Sequence, residues 1–114
     1  MMGLLNFIGW IDFLRKIWEF IKKIIVKVLS FVNNILKFFK DPNRLRTLKQ
    51  DSNKLAISIK EHLDNGEYHV VDCLFDKETE QIYDMEENAL GVEAESLDSQ
   101  TQSVFGDRDM IILK

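Results

Sequence analysis

Few side chains in this sequence could do chemistry. Cys73 is the only cysteine, so no disulfide can close within the chain, and an intracellular, reduced setting fits it. His62 and His69 are the only histidines. On a strand His69 and Cys73 would share a face, but zinc needs further spaced ligands that are not there. Asp76 to Glu80 opens like a calcium loop, yet Gln81 stands where that loop turns on glycine. Glu86, Glu87, Glu93 and Glu95 read as solvated surface. No glycine-rich phosphate cradle and no nucleophile elbow occurs. The expectation is a protein with no enzymatic activity, no metal and no cofactor.

The element that would have to position anything else is the stretch Leu4 to Lys40. Placed on a wheel at about 100° per residue, its two chemistries separate. Asp12, Arg15, Lys16, Glu19, Lys22, Lys23, Lys27, Ser30, Asn33, Asn34, Lys37 and Lys40 fall in one arc. Trp10, Phe13, Leu14, Ile17, Trp18, Ile21, Ile24, Ile25, Val28, Phe31, Val32, Ile35 and Phe38 fall in the other, with Phe7 continuing it upstream. Val26 is the single exception. The apolar arc is wider than the two-position seam of a dimeric coiled coil. Read in sevens, the pattern drifts as a straight helix drifts, by about 20° per heptad. The spacing therefore predicts one straight amphipathic helix, roughly 55 Å long.

The cations lie on the polar arc, several at its borders, where methylenes can rest on apolar surface while the charge reaches water. This pattern resembles the interfacial helices of lipid-binding apolipoproteins and of small membrane-active peptides. The resemblance covers this third of the chain, and implies that Arg15, Lys16, Lys22, Lys23, Lys27, Lys37 and Lys40 face lipid headgroups. The competing reading is burial of the same face in the chain's own core. Six of the eight Phe and both Trp lie here, so the remainder has few aromatics with which to cover it. A bilayer crossing is not expected, because Lys or Arg interrupts the run every few positions. Met-Met-Gly-Leu-Leu offers neither a secretory signal nor, with Phe7 in the critical place, a myristoylation motif.

Charge divides the chain. Residues 1–40 carry a net +5 and residues 41–114 a net −9, giving −4 overall. That balance disfavours nucleic acid. The cationic part would favour anionic lipid, while the acidic part serves solubility or masks the helix.

Lys40-Asp41-Pro42 should end the long helix, with Asp41 capping a second one that has Pro42 at its first position. Leu45, Leu48, Leu55, Ile59 and Leu63 keep one helical face up to Asn65-Gly66, though Asp51-Ser52-Asn53 could divide it. The alternative is a strand at Leu55 to Ile59 with Asn65-Gly66 as a hairpin turn. Tyr68 to Phe75 reads as a strand, and Gln81 to Asp84 as a short return. Met85 to Glu95 reads as an acidic loop with a strand near Gly91-Val92. Asp98 caps a short helix ended by Gly106, and Met110 to Leu113 reads as a buried closing strand.

The expected fold is α+β: an α-hairpin made of residues 1–41 and 42–66, followed by a small acidic α+β unit at 67–114. The expected function is binding of an anionic membrane surface by the first helix, with oligomerisation and a regulatory or recruiting C-terminal unit. The location would be cytoplasmic, peripheral at the inner membrane surface. The alternative is a structural or interaction subunit whose helix is buried among protein partners. No small-molecule substrate is evident.

Overall fold

The computed structural model describes residues 9–113, and its fold is mixed α+β. The long helix is not what forms. The stretch divides into α1 (Trp10–Trp18), β1 (Lys22–Leu29), and a π-helical segment (Phe31–Leu36) that runs into α2 (Lys37–Phe39). The reason lies in Ile24, Ile25, Val26 and Val28. Four β-branched residues among five are stiff at χ1 and suit a pleated strand better than a helix. Val26, off the helical pattern, packs against a core built on the far side of the sheet from α1. A 3.6-residue rhythm persists across the break because α1 and the later helical segment are each amphipathic.

The second helix also stops early. α3 (Pro42–Gln50) begins as expected, with the Asp41 carboxylate accepting from the backbone N–H groups of Asn43 and Arg44 at 3.1 and 3.2 Å. It ends at an Asp51 turn, in which Asn53 N–H donates to Asp51 Oδ1 and Lys54 N–H donates to the Asp51 carbonyl. Lys54–His62 is then strand β2, the alternative that the alternation of Leu55, Ile57 and Ile59 had offered. β2 and β3 (Tyr68–Asp76) form a hairpin, with Gly66 in the left-handed region at φ 92°.

Next come β4 (Gln81–Ile82), β5 (Ala89–Leu97), α4 (Ser99–Phe105) and β6 (Met110–Leu113). β5 extends well beyond the short strand expected near Gly91-Val92, because it is paired on both sides and buries Val92 and Ala94. α4 has the expected ends, Asp98 and Gly106. β6 is an edge strand on which only Ile111 is buried, so it does not close the core from within.

The strand order is β1-β5-β3-β2-β6, with β4 on β3, and among the described residues only the β1–β5 pair is parallel. This one sheet takes β1 from residues 1–41, β2 from 42–66 and its other strands from 67–114. Both faces are covered. On one, Trp10, Leu14 and Ile17 of α1, together with Ile21, meet Ile57, Ile59, Val71, Cys73 and Phe75. On the other, Phe31, Ile35, Phe38, Phe39 and Phe105 meet Val70, Leu74, Val92 and Ala94. Apolar contact on both sides explains why β3 reads as a nearly continuous hydrophobic run.

Candidate interaction edge

Most of the apolar residues singled out in the sequence are the protein's own core. Trp10, Leu14, Ile17, Ile21, Phe31, Ile35 and Phe38 are buried, and Phe13 and Trp18 are half-buried. Phe7 lies outside the described residues. The exposed remainder gathers on β1 and its flanks: Ile24, Ile25, Val28 and Val32, joined by Phe20, which the wheel had not singled out for binding. Ile25 is 78% and Phe20 75% exposed, unusual values for large apolar side chains in a small folded unit.

β1 stands at the end of the sheet. Its inner side pairs with β5 through seven register positions, from Lys22 opposite Leu90 to Leu29 opposite Leu97. Among the described residues no strand pairs with its outer side. The outer side of an eight-residue edge strand is a row of backbone donors and acceptors available to another chain. Ile24 and Val26 stand level with Val92 and Ala94 and face the second core, whereas Lys23 and Ile25 stand level with Gly91 and Glu93 on the α1 face. Apolar side chains are therefore offered on both sides of the ribbon.

A groove of about 640 Å³ lies beside this edge. Ile24 and Leu90 supply sheet residues, and Asn33, Asn34, Lys37, Phe38, Lys40, Asp41 and Arg44 supply the helical wall. Arg44 is a structural member. Its guanidinium lies 3.8 Å from the Phe38 ring centroid and donates to the carbonyls of Phe38 and Glu87 at 3.1 and 2.6 Å. Phe38 is thereby fixed as one side of the groove.

The seven cations assigned to headgroups have separate roles. Arg15 donates from Nε and Nη2 to Glu61 at 2.8 and 2.6 Å, tying α1 to β2; that bond raises its pKa above the usual value. Lys23 Nζ donates to the carbonyls of Trp18 and Ile21 at 2.8 and 3.1 Å, beyond the end of α1, where a cation complements the helix dipole. Lys16, Lys22, Lys27, Lys37 and Lys40 are exposed and form no ion pair among the described residues. Four of these five border the β1 edge or the groove in sequence or space.

The groups that could have done chemistry lie elsewhere. His69 and Cys73 do share the α1 face of β3, but Cys73 is buried, and burial pushes its thiol pKa up, away from the reactive thiolate. His69 is stacked on Trp18. No group of three metal-ligating side chains occurs among the described residues. Asp72 is fully buried on the opposite face of β3, its carboxylate accepting from Ser58 Oγ at 2.7 Å. Burial pushes its pKa up to about 7, against the pull of the Ser58 hydrogen bond and the nearby Arg44 charge. No helix among the described residues is long and apolar enough to cross a membrane.

Comparison with protein-family models, curated proteins and solved structures gives no match. The site therefore rests on its own geometry. Sequence reasoning missed the backbone edge itself, as well as Leu90 and Phe20. The signal for the edge was Val26, the one residue that would not fit the wheel.

Proposed function

We propose that this protein is a non-enzymatic interaction subunit that accepts a partner polypeptide as an added strand on the outer side of β1. The observation that carries this reading is the outer edge of β1, which no strand among the described residues pairs, with Ile25 and Val28 exposed along it. In strand addition, backbone hydrogen bonds supply affinity and alternate side chains supply selectivity. Burial of the wheel's apolar residues in the core removes most of the surface that a lipid-binding helix would use. An anionic bilayer is the rival occupant, since Phe20 and Ile25 are exposed within three residues of Lys22.

The test is panning of a random peptide library on the folded protein, followed by hydrogen exchange on the selected complexes. Slowed exchange at β1 amides, with binding lost on Ile25→Glu/Val28→Glu, is the expected result. Both positions are exposed, so the double variant should fold. Peptides that leave β1 exchange unchanged would overturn the reading. So would capture by equimolar phosphatidylserine–phosphatidylcholine vesicles that molar salt reverses, and that outcome would restore the bilayer.

A further inference from the structure

Taking the edge of β1 as the docking site, we infer that its partner is an acidic extended segment of another protein, which seats one aliphatic side chain in the groove beside Ile24 and Phe38. The inference rests on the strand-addition reading and adds the chemistry of the occupant. Lys22 and Lys27 lie on the open strand, and Lys37 and Lys40 on or beside the groove wall. All four are exposed without an ion pair among the described residues, so the fold does not consume their charge. A strand carrying Asp or Glu at alternate positions would bring carboxylates to the groove side of the ribbon, the side of Lys22, Lys37 and Lys40, while Lys27 stands on the other side.

The groove selects for more than charge. Ile24, Leu90 and Phe38 give it an apolar base, while Asn33, Asn34, Lys37 and Lys40 give it a polar rim together with Asp41, whose carboxylate is paired with Arg44 at 3.9 Å. An apolar anchor within a polar border is the usual division of labour at a peptide site. Because Ile24 faces the groove and Ile25 the α1 side, a bound strand would find an apolar contact on either face. That favours an alternation of acidic and aliphatic residues over a uniformly acidic tail.

A second copy of this chain is the obvious competitor, and charge argues against it. Antiparallel pairing of β1 with its own copy would place Lys22, Lys23 and Lys27 of both chains on one two-stranded ribbon. Six ammonium groups crowded on one short ribbon repel one another, and lysines on an edge strand are a common guard against self-pairing. An acidic partner meets the same lysines as attraction.

The peptides recovered from the random library carry the answer in their composition. Those that slow β1 exchange should be enriched in Asp and Glu around one or two aliphatic residues. Their affinity should fall about tenfold or more on Lys37→Glu/Lys40→Glu, and a Lys-for-Glu version of each peptide should regain binding to that variant. Both lysines are exposed, and an unchanged melting temperature would confirm that the variant is folded. Peptides that slow β1 exchange without acidic enrichment, or that ignore the double variant, would overturn this inference and leave strand addition standing. Peptides that do not touch β1 would overturn both. A doubled particle mass with slowed β1 exchange in the absence of peptide would replace the acidic partner with a second copy.

Discussion

The indole of Trp18 lies flat on the imidazole of His69, with ring centroids 3.8 Å apart and planes 10° from parallel. This stack is possible because the strand between β1 and β3 carries glycine where the indole crosses it. A Cβ on Gly91 would lie 2.8 Å from Trp18 Cζ3, 3.1 Å from Lys23 Cγ and 3.2 Å from Ile21 Cδ1. The turn leading from α1 into β1 is therefore seated directly on β5.

Gly91→Ala should lift Trp18 from His69. Overpacking of this kind typically costs about 1–3 kcal/mol, so urea unfolding should show a lower midpoint with an unchanged slope. Trp18→Leu in the Gly91→Ala background should recover part of the loss, because the side chain that clashes is gone. Equal losses in the single and double variants would mean that the stack is not the constraint.

Much of this arrangement could be read from residue types, and the failures have a common cause. Asp41-Pro42, Asp98, Gly106 and Tyr68 to Phe75 announced their structure because local chemistry alone determines caps and β-branched runs. Leu4 to Lys40 did not, because an amphipathic helix and an apolar edge strand can satisfy one wheel. Ile24 and Ile25 point to opposite faces in β1, yet on the wheel they are neighbours in the apolar arc. Only pairing with β5, far along the chain, decides between the two. The candidate site was less legible still, since an open backbone edge is a property of sheet order and has no residue signature.

The contrast between Ile21 and Asn33 separates core from surface. Ile21 is buried beside Trp18, Leu14 and Ile17, so Ile21→Lys places an unpaired ammonium in an apolar layer. Several kcal/mol should be lost, of the order that unfolds a small domain. Asn33 is exposed and its side chain makes no hydrogen bond among those described, so Asn33→Lys should stay within about 0.5 kcal/mol. Thermal melts of the two variants are the measurement. Similar melting temperatures would contradict the placement of Ile21 in the core.

Lys27 is the natural guard of the open edge. Replacing it with Val converts the centre of β1 into an uninterrupted run of aliphatic residues whose outer side no described strand pairs, a pattern prone to edge-to-edge association. Lys27→Val should self-associate as concentration rises, by light scattering, while its secondary structure is unchanged at low concentration. Lys49→Val, an exposed change on α3, is the control and should remain dispersed. Equal association by the two would point to general loss of solubility instead of strand pairing.

Asp72 gives the protein a pH dependence opposite in sign to that of an ordinary paired carboxylate. Its carboxyl accepts one hydrogen bond from Ser58, while Oδ2 has no partner among the described residues, and burial pushes its pKa up to about 7. Unfolded, it would ionise at the usual carboxylate value near 3.8. Between these values the unfolded chain releases a proton that the folded chain keeps, so this group's contribution falls as pH rises and levels off above about 7. A separation of about three units corresponds to roughly 4 kcal/mol. Asp51, Asp76 and Asp98 work in the other direction, since hydrogen bonds chiefly from Lys54, again from Lys54, and from Thr101 hold their carboxylates below the usual range. The informative quantity is therefore the difference between the native protein and Asp72→Asn, which keeps the size and the Ser58 contact but cannot ionise. Measured by urea unfolding at intervals from pH 4 to 8, that difference should move in favour of the variant and flatten near pH 7. A difference independent of pH would show that Asp72 ionises alike in the folded and unfolded chains, and that its burial imposes no penalty on charge.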